Sequence, residues 1–537
     1  MEEKSIIALE IGSSKIKGAI GTVSAEGVLS VKAIEEEHCS DIVRHGCIRN
    51  VVETAAAVRG VVQRLEQRVA PKRIEGVYLS LGGRSLMAEN IDIERRFATE
   101  TEITDTIIKD ITDEALNRPM ADRFVVQALP KELRVDNTAT SRPVGMYCQQ
   151  ISARLSLVSC RNQLAKNLTE VIGQRLGLRI EGLFVRPLAV AETVLSAEEK
   201  RLGCMLVDFG AETTTVSIYR GGVLLHLAVL PLGGRNITRD ITALNFLEER
   251  AEELKLSYGD ARPGSEKNGG RTSEGTEISA INCYVSSRAI EILLNVVEQI
   301  KYAGLTPSQL PKGIVVAGRA ARLGGLTDRL QQMTGLNVRI GVPDSGVRIL
   351  DGRIQSSDAV DIIAIMSEAR AQGAQECLVV PAHIRQEEER RKAEEEAAAR
   401  AAEEAARRAE EARLAEEARK AEAARLAEAA RLDDIARQAE AARLAEAARQ
   451  AEAARQQAAA SYPSAQGQYV HPYAGNNRPA AQPAAGTVPA ERVSGERPAA
   501  IVPPSVQEQK KGKSWFESLR DKVAEKLAST IYEDPDE

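Results

Sequence analysis

Aromatic side chains are scarce in this sequence: they make up 3% of the 537 residues, and Trp515 is the sole tryptophan. Basic residues are not in excess either. The formal net charge is -6, which argues against non-specific binding to nucleic acid. The sequence has no run of about eighteen consecutive apolar residues, so we expect peripheral rather than spanning contact with any membrane.

Paired cysteines are also missing. The seven cysteines are scattered without a CxxC pair, and the sequence has no signal-like start, which favours a reducing cytoplasm. Residues 38–47, HCSDIVRHGC, combine two histidines with two cysteines. Zinc sites usually show tighter ligand pairs and a second pair downstream. We therefore interpret this segment as a loop ahead of a helix at residues 50–69.

A strand pattern followed by small and hydroxyl residues is present at residues 204–222, CMLVDFGAETTTVSIYRGG. The apolar run at its start predicts a strand, Asp208 and Gly210 mark a turn, and a returning strand follows. Such a hairpin can hold phosphates. Glycine lets backbone N–H groups approach an anion, Thr213 and Thr214 can donate to it, and Asp208 can hold a hydrated Mg²⁺. An ordinary β-hairpin would show the same pattern.

The same design occurs near the start of the chain. Residues 6–20, IIALEIGSSKIKGAI, predict a strand, a turn containing Gly12, Ser13 and Ser14, and a returning strand. A third glycine turn follows a strand in residues 313–325, GIVVAGRAARLGG, where the backbone could pass an adenosine. Together these turns predict two halves of similar construction that face one nucleotide.

The three turns, in this order, resemble the pattern of the actin, Hsp70 and hexokinase superfamily from the start of the chain to about residue 380. Within it the sequence is most similar to the bacterial cell-division FtsA family. The segments VSCRNQLAKNLTEVIGQRLGL (158–178), RAEELKLSYG (250–259) and VAGRAARLGGL (316–326) carry that similarity. The resemblance implies an α/β, two-lobed actin-like ATPase core with an FtsA-type 1C subdomain. A long charged helix, a disordered linker and a terminal amphipathic helix would follow.

The resemblance also implies domain boundaries. Lobe 1 would comprise residues 1–84 and 161–202, and the 1C subdomain would occupy 85–160, an SHS2-like insert of short strands with one helix. Lobe 2 would comprise 203–380, with a smaller subdomain 2B at about 240–305. An exposed sheet beside a polymer-forming core is a candidate docking surface for other division proteins, although a purely structural α+β insert has the same pattern.

In this family ATP lies between the lobes together with Mg²⁺. Asp208 would hold the metal, with Glu10 acting through water. Glu252 and Lys255 would lie beside the ribose and adenine, although both could equally be surface charges on a helix. The nucleotide-binding positions that the resemblance implies are Gly12, Ser13, Ser14, Lys17, Asp208, Gly210, Thr213, Thr214, Gly234, Glu252, Lys255 and Gly318.

Arg186 lies close to the position where actin-like ATPases place a Glu or Gln that orients the attacking water. An arginine cannot act as that base. We therefore expect ATP hydrolysis to be weak or absent, with Arg186 contacting a phosphate or a neighbouring carboxylate instead.

In the FtsA family the outer face of subdomain 2B binds the C-terminal peptide of FtsZ, which has acidic and hydrophobic positions. Arg271 and Arg288 are candidates for pairing with that peptide. Family members often have basic and proline residues after the segment that matches 269–271. Residues 272–274 read Thr-Ser-Glu here, so the chain departs from the family at this contact.

A charged repeat begins at residue 413, with arginine every six residues as far as 455 and an acid midway between nearly every pair. On a helix six residues turn through about 600°, so the leucines rotate around the surface and no coiled-coil seam persists. We predict a solitary helix over 385–460, on the order of 110 Å long, with Arg and Glu three apart facing each other. A weak helical bundle is the alternative.

The segment 510–532, KKGKSWFESLRDKVAEKLASTIY, places an apolar face beside basic residues. This pattern is typical of a helix that lies in the headgroup plane of an anionic bilayer. A helix that packs on a partner protein would look similar, but the polar linker at 461–509 favours the membrane. Its position also resembles that of the FtsA membrane-targeting helix. The membrane-contact candidates are Trp515, Phe516, Leu519, Val523, Leu527, Lys511 and Lys513.

Taken together, the resemblance implies an ATP-binding division protein that self-associates into filaments at the cytoplasmic face of the cell membrane, at the division site. It would anchor the FtsZ ring and recruit later divisome proteins. A type IV pilus assembly protein of the PilM kind shares the core and the subdomain, but it would not be expected to have the terminal anchor. A sugar or acetate kinase would need a catalytic acid and a closed substrate pocket, and no kinase motif is visible.

Overall fold

The computed structural model of the chain describes residues 3–39, 41–343, 346–352 and 354–458. The described residues form two compact units, one up to Arg385 and the other from Gln386 on.

Strands form where the sequence has apolar runs or alternating apolar and polar residues, and helices form where apolar residues recur at helical spacing. The strands are β1 (Lys4–Ile11), β2 (Lys15–Val23), β3 (Leu29–His38), β4 (Val43–Arg44), β5 (Cys47–Ile48), β6 (Arg73–Ile74), β7 (Gly76–Leu81), β8 (Met87–Glu102), β9 (Arg123–Val135), β10 (Thr138–Thr140), β11 (Tyr147–Arg161), β12 (Arg179–Val185), β13 (Cys204–Phe209), β14 (Thr214–Arg220), β15 (Val223–Leu230), β16 (Ile314–Ala317), β17 (Val338–Ile340), β18 (Val347–Ile349) and β19 (Leu378–Val379). The α-helices are α1 (Val51–Val69), α2 (Asp105–Leu116), α3 (Asn162–Thr169), α4 (Arg186–Val194), α5 (Ala197–Leu202), α6 (Gly234–Ile241), α7 (Glu248–Tyr258), α8 (Ile278–Tyr302), α9 (Leu326–Thr334), α10 (Val360–Ala371) and α11 (Ala382–Ala458).

The central strands of the two main sheets pair with their neighbours in the same pattern. In lobe 1 the order is β12-β7-β1-β2-β3-β18, and β1 pairs antiparallel with β2 and parallel with β7. In lobe 2 the order is β15-β14-β13-β16-β17, and β13 pairs antiparallel with β14 and parallel with β16. The central strands of both sheets are buried, as their continuous apolar runs predict. The expectation of two halves with similar construction is confirmed.

Helix α1 begins at a side-chain cap and packs its predicted face inward with one exception. The Asn50 side chain accepts the N–H groups of Val52 and Glu53, each at 3.1 Å, which satisfies two orphan donors of the first turn. Helical spacing predicts that Val52 and Val58 both lie on the buried face. Val58 is buried, but Val52 is 60% exposed. Six residues separate the two valines, and this spacing rotates Val52 by about 240° away from the buried stripe.

The SHS2-like insert is built from long strands, of which the sequence pattern predicts only the last, at residues 146–158. Strands β8, β9 and β11 have 16, 13 and 15 residues and lie in one sheet of order β10-β9-β11-β8. The sequence pattern predicts one helix at residues 105–117, and helix α2 confirms it. The insert has its own core, which includes Ile93, Ile111 and Leu155. The predicted breaks are absent from these described strands because bulges in the β11 pairing absorb the irregular spacing.

The sequence pattern predicts a helix over residues 284–302, and helix α8 starts six residues earlier, at Ile278. It is the described helix whose length and apolar composition would suffice to cross a membrane, and 44% of its most apolar window is buried inside the protein. Leu293 and Ile300 pack in the core of lobe 2 as predicted, but Leu294 is 52% exposed. The buried stripe passes through Val296 instead, three residues after Leu293, so Leu294 falls on its edge.

The predicted helix at 161–176 is continuous but changes geometry along its length. Helix α3 runs into a π-helical segment at Glu170–Arg175. Buried Val171 and Ile172 from this segment pack in the core of lobe 1.

The second unit contains the charged helix, as the six-residue repeat predicted. Helix α11 has 77 residues, which corresponds to about 115 Å. From Gln386 on, its described side chains are exposed. The ion pairs described in α11 join residues four apart rather than three, because side chains four apart stack most directly on a helix.

Candidate functional site

The first and second hairpins close with the same short turn. The Gly12 N–H donates to the Lys15 carbonyl oxygen at 3.0 Å, and the Gly210 N–H donates to that of Thr213 at 2.8 Å. A Cβ on Gly12 would lie 2.9 Å from its partner oxygen, and a Cβ on Gly210 would lie 2.8 Å from its own. Both turns therefore need glycine because the backbone approaches too closely for a side chain.

The two turns lie close together, and Arg235 of α6 contacts both. Its Nη1 is 3.5 Å from the carbonyl oxygen of Ser13 in the first turn and 3.2 Å from Oε1 of Glu212 in the second. Ser13 is buried, and its hydroxyl oxygen accepts the N–H of Gly46 at 2.8 Å. Ser14, by contrast, is exposed.

Arg186 lies between the acids at the ends of the two central strands. Its Nη1 is 3.3 Å from Oε1 of Glu10, and its Nη2 is 3.2 Å from Oδ2 of Asp208. The parallel pairing of β12 with β7 brings Arg186 beside Gly82, where a Cβ would lie 3.2 Å from Nε. Pro187 in the first turn favours the start of α4 at this point. Of the two contacts expected for Arg186, the structure has the carboxylates.

Lys17 extends this cluster on the other side of Glu10. It lies opposite Glu10 in the hairpin register and forms an ion pair with Asp361, in the first turn of α10. Burial lowers the pKa of Lys17, but attraction to Asp361 and Glu10 outweighs it and raises the pKa above its ordinary value. Burial raises the pKa of Asp361, but Lys17 and Arg186 bring it below its usual range. Both members of the pair are therefore charged.

Glu10 has a strongly shifted pKa. Burial raises the pKa of Glu10 to about 7, repulsion from Asp361 and Asp208 adds to this, and Lys17 and Arg186 oppose it. Within the described part of the chain, Oδ2 of Asp208 and Nε of Arg186 are buried without a hydrogen-bond partner. A bound polar group could satisfy both atoms.

Glu212 joins the two lobes at the second turn. Only 1% of its side chain is exposed. Its Oε2 accepts the backbone N–H of His45 at 2.7 Å, and its Oε1 lies 3.4 Å from Arg44, 3.2 Å from Arg235 and 3.5 Å from Arg239. Arg44 and His45 belong to lobe 1, whereas the other two arginines belong to α6 of lobe 2. We call this group the Glu212 clasp.

The histidine and cysteine segment contributes contacts to this clasp and to the first turn. Nδ1 of His45 is 3.0 Å from the Glu212 carbonyl oxygen, and the Cys39 thiol donates to the Gly12 carbonyl oxygen at 3.1 Å. Over the described ranges no three His, Cys, Asp or Glu side chains are grouped as metal ligands. The segment forms the small hairpin β4-β5, as a loop ahead of α1.

The start of α6 packs on the second turn. The N–H groups of Gly234 and Arg235 donate to the carbonyl oxygens of Gly210 and Ala211 at 3.0 and 2.7 Å. A Cβ on Gly234 would lie 3.0 Å from the Cβ of Ala320, so the third glycine turn is adjacent. The hydroxyl of Thr214 donates to a carbonyl oxygen just before α6, at 2.8 Å, whereas Thr213 is buried within the turn.

Lys255 and Glu252 pair with each other beside this helix start. Nζ of Lys255 lies 2.6 Å from Oε2 of Glu252 and donates to the Gly234 carbonyl oxygen at 3.1 Å and the Thr238 hydroxyl at 2.9 Å. Burial lowers the pKa of Lys255, and Glu252 opposes this shift. Lys255 is thus an interior residue, while Glu252 is partly exposed.

Gly318 brings the third turn against the second central strand. Parallel pairing places Ala317 opposite Asp208, so Gly318 lies beside Phe209. With φ at +83°, Gly318 adopts a conformation that other residues rarely reach, and a Cβ there would be 2.3 Å from the Phe209 carbonyl oxygen. The three predicted turns therefore meet at one place.

A second bridge between the lobes borders a cavity of about 270 Å³ next to Lys17. Nη1 of Arg319 lies 3.1 Å from Oε2 of Glu36, and Nη1 of Arg322 lies 2.5 Å from Oδ1 of Asp358. The arginines follow the third glycine turn. Glu36 belongs to β3 of lobe 1, and Asp358 precedes α10, which packs against β1 and β2 of lobe 1 although the predicted boundary assigned residues up to 380 to lobe 2.

Sequence reasoning missed three residues of the site, namely Glu212, Arg235 and Asp361. Glu212 had a sequence signal, since it is an acid inside the phosphate-type turn. Arg235 and Asp361 are near helix starts, where charged residues are common, so no pattern distinguished them from other charged residues.

The two arginines suggested for peptide binding already have partners within the chain. Arg271 is exposed and lies 2.8 Å from Glu277. Arg288 pairs with Asp240 at 2.6 Å and also contacts Glu291. The linker and the terminal segment, with the membrane candidates from Lys511 to Leu527, lie outside the described residues.

Comparison with known proteins separates the core from its insert. Residues 205–364 match the family model described as cell division protein FtsA, and residues 83–159 match the SHS2 domain inserted in FtsA. The cell division protein FtsA of Porphyromonas gingivalis is 29% identical over 337 residues, which cover 61% of this chain and 70% of the relative. That of Escherichia coli K12 is 27% identical over 361 residues, covering 64% and 85%. The chain is therefore similar to cell division protein FtsA in both its core and its insert.

A solved structure is similar to this chain in fold. The match is to the PilM-PilN type IV pilus biogenesis complex, with a TM-score of 0.50, 18% identity, and coverage of 68% of this chain and 98% of the other. At this identity the likeness concerns the fold alone. The chain therefore has the actin-like two-lobed fold with an SHS2 insert, and α11 follows it.

Proposed function

We propose that this FtsA-like chain binds ATP between its lobes and acts as a filament-forming division protein. The observation that carries the proposal is the meeting of the glycine turns at Gly12, Gly210 and Gly318 beside the ends of two equivalent strands. Close backbone approach at such turns favours binding of an anion. The buried Nε of Arg186, which has no hydrogen-bond partner among the described residues, fits an anionic ligand at the same place.

The residues of the chain would share the work of binding. The turns with Gly12 and Ser13, and with Gly210 and Thr213, would face the phosphates. Gly234, with Lys255 and Glu252 packed behind it, would face the ribose and adenine. Gly318 would let the third turn pass the nucleoside. ATP supplies the free energy of a phosphoanhydride bond, but Arg186 cannot take a proton from water, so we propose that turnover is weak or absent.

The donor set does not fit a Mg²⁺ ion held by Asp208 and Glu10. Mg²⁺ demands several oxygen ligands at about 2.0–2.1 Å in octahedral geometry. Arg186 lies between these carboxylates and pairs with both. The role in metal binding that the family resemblance implied for the two acids therefore disagrees with the arrangement.

Asp208→Ala tests the nucleotide site. We expect ATP affinity to fall at least about tenfold, because the carboxylate that holds the Arg186 guanidinium in position beside the phosphates is lost. Isothermal titration calorimetry measures the affinity. Asp92→Ala, which removes an exposed acid of β8, is the matched control and should bind as the parent does. Undiminished affinity in Asp208→Ala would refute the assignment.

We also propose that the chain tethers FtsZ filaments at the cytoplasmic face of the cell membrane, at the division site. Similarity to cell division protein FtsA supports this, as do the apolar and basic faces in the terminal sequence. The FtsZ C-terminal peptide would bind the surface with Arg271 and Arg288, and other divisome proteins the SHS2-like insert.

Deleting residues 515–537 tests the membrane anchor. We expect the shortened chain to remain in the supernatant when anionic liposomes are sedimented, because the aromatic and basic residues are gone. Zwitterionic liposomes with the full chain give the control for charge. Full retention of the shortened chain on anionic liposomes would exclude this anchor.

A further inference from the structure

We propose that Arg186 is a built-in counter-ion that makes nucleotide binding by this chain independent of Mg²⁺. The inference rests on the proposed ATP site and adds a specific property to it. Arg186 would neutralise the acids that otherwise require a metal ion and would contribute positive charge next to the phosphates.

The fold holds Arg186 in place. Its side chain is 14% exposed and lies at the first position of α4, with Pro187 following and Gly82 beneath the guanidinium. The register of β12 and β7 sets that position, because Val185 pairs with Leu81. Strand β12 before Arg186 and helix α4, which begins at it, therefore both fix the position of the side chain.

The balance of charge leaves little attraction for a metal. The acids are Glu10, Asp208 and Asp361, and the fixed cations among them are Arg186 and Lys17. For Mg²⁺ to enter between Glu10 and Asp208, the guanidinium would have to leave both partners. A buried charge that loses its partner is strongly destabilising, so this exchange is unfavourable.

Arg186 also keeps hydrogen-bonding capacity for a ligand. Its Nε lacks a partner among the residues that the structure describes, although Nη1 and Nη2 are engaged. Guanidinium groups bind phosphate through several fixed N–H donors and do not lose their charge at physiological pH. An arginine here can therefore supply the charge that a metal ion would supply elsewhere.

The test measures ATP affinity in excess Mg²⁺ and in excess EDTA, by calorimetry, for the full chain and two variants. We expect the parent affinity to differ by less than about threefold between the two conditions. Arg186→Gln should lose at least about tenfold on addition of EDTA, because its acids are no longer neutralised. Arg186→Lys keeps the charge and should behave like the parent.

The outcomes distinguish a failure of this inference from a failure of the proposed function. An equal and large loss in EDTA for the parent and Arg186→Gln would overturn the inference while leaving ATP binding intact. Absence of binding by the parent in both conditions would overturn the proposed function itself. If Arg186→Gln does not fold, as judged by its thermal unfolding, the parent and Arg186→Lys still decide, since Mg²⁺-dependent binding by the parent alone refutes the inference.

Discussion

Glu10 changes its charge in the pH range in which cells live. Its pKa is about 7 in the folded protein against an ordinary value of 4.5. An acid whose pKa is raised by folding binds its proton more tightly in the folded state. Its contribution to stability is therefore present below the unfolded pKa and is lost as pH rises through the folded pKa.

Glu10→Gln should remove this dependence. Between about pH 5 and pH 8 we expect the free energy of unfolding of the parent to fall relative to that of the variant by up to roughly 3 kcal/mol. Urea denaturation at a series of pH values measures the difference. Glu249→Gln, which changes an exposed acid of α7, is the matched control. Parallel pH profiles for the parent and Glu10→Gln would contradict the expectation.

At this scale the sequence predicted the residues that act locally and missed the tertiary pairs. Gly12 and Gly210 were identifiable because a glycine directly after an apolar strand signals a tight turn. The pairing of Arg186 with Glu10 spans 176 positions of sequence and depends on how β12 and α4 dock. Nothing local to Arg186 distinguishes a carboxylate partner from a phosphate.

Among the elements, the Glu212 clasp joins the loop before α1 to helix α6. A buried carboxylate that faces Arg44, Arg235 and Arg239 neutralises charges from both lobes at once. Any opening of the lobes must separate Glu212 from Arg44 and from the backbone of His45. The clasp therefore opposes opening at the second turn.

Glu212→Gln should be strongly destabilising. Removing one partner of a buried ion pair costs roughly 3 to 5 kcal/mol, and here Arg235 and Arg239 would keep only the partly exposed Glu248 as an acid partner. Glu248→Gln is the matched control, since Glu248 contacts Arg235 and Arg239 but is 40% exposed, and we expect a loss below about 1 kcal/mol. Chemical denaturation compares the two variants. Equal losses would show that the clasp has no special role.

The positions of the strands and helices were largely predictable from the sequence. The buried faces of the helices and the exact ends of the elements were less predictable. Continuous apolar runs identified β13 and β16 because strands buried on both sides need no alternation. The outward positions of Val52 and Leu294 were missed, since a helical stripe is narrow and a neighbouring apolar residue falls outside it. The length of β8 and β9 in the insert was missed because bulges in their pairing with β11 interrupt the regular register.

On the scale of the whole molecule, the chain combines two kinds of stability. The first unit has buried cores in both lobes and in the insert. The described side chains of α11 from Gln386 on are exposed, and its described ion pairs lie within the helix. A helix without a buried apolar face melts gradually, whereas a packed core melts cooperatively.

Circular dichroism at 222 nm should therefore show two behaviours on heating. We expect a sloping loss of helical signal from α11 and a separate cooperative transition from the core. Deleting residues 386–458 should remove the slope and retain the transition. A second cooperative transition that depends on protein concentration and disappears in the deletion variant would instead indicate the helical bundle.

The six-residue period of α11 also constrains how this helix can change length. Eighteen residues, or three units, make about five full turns and about 27 Å of rise. Insertion or loss of three units would return every later side chain to its original angle around the axis. Duplication of this stretch can thus adjust the span in steps while the pattern of charges around the helix stays the same.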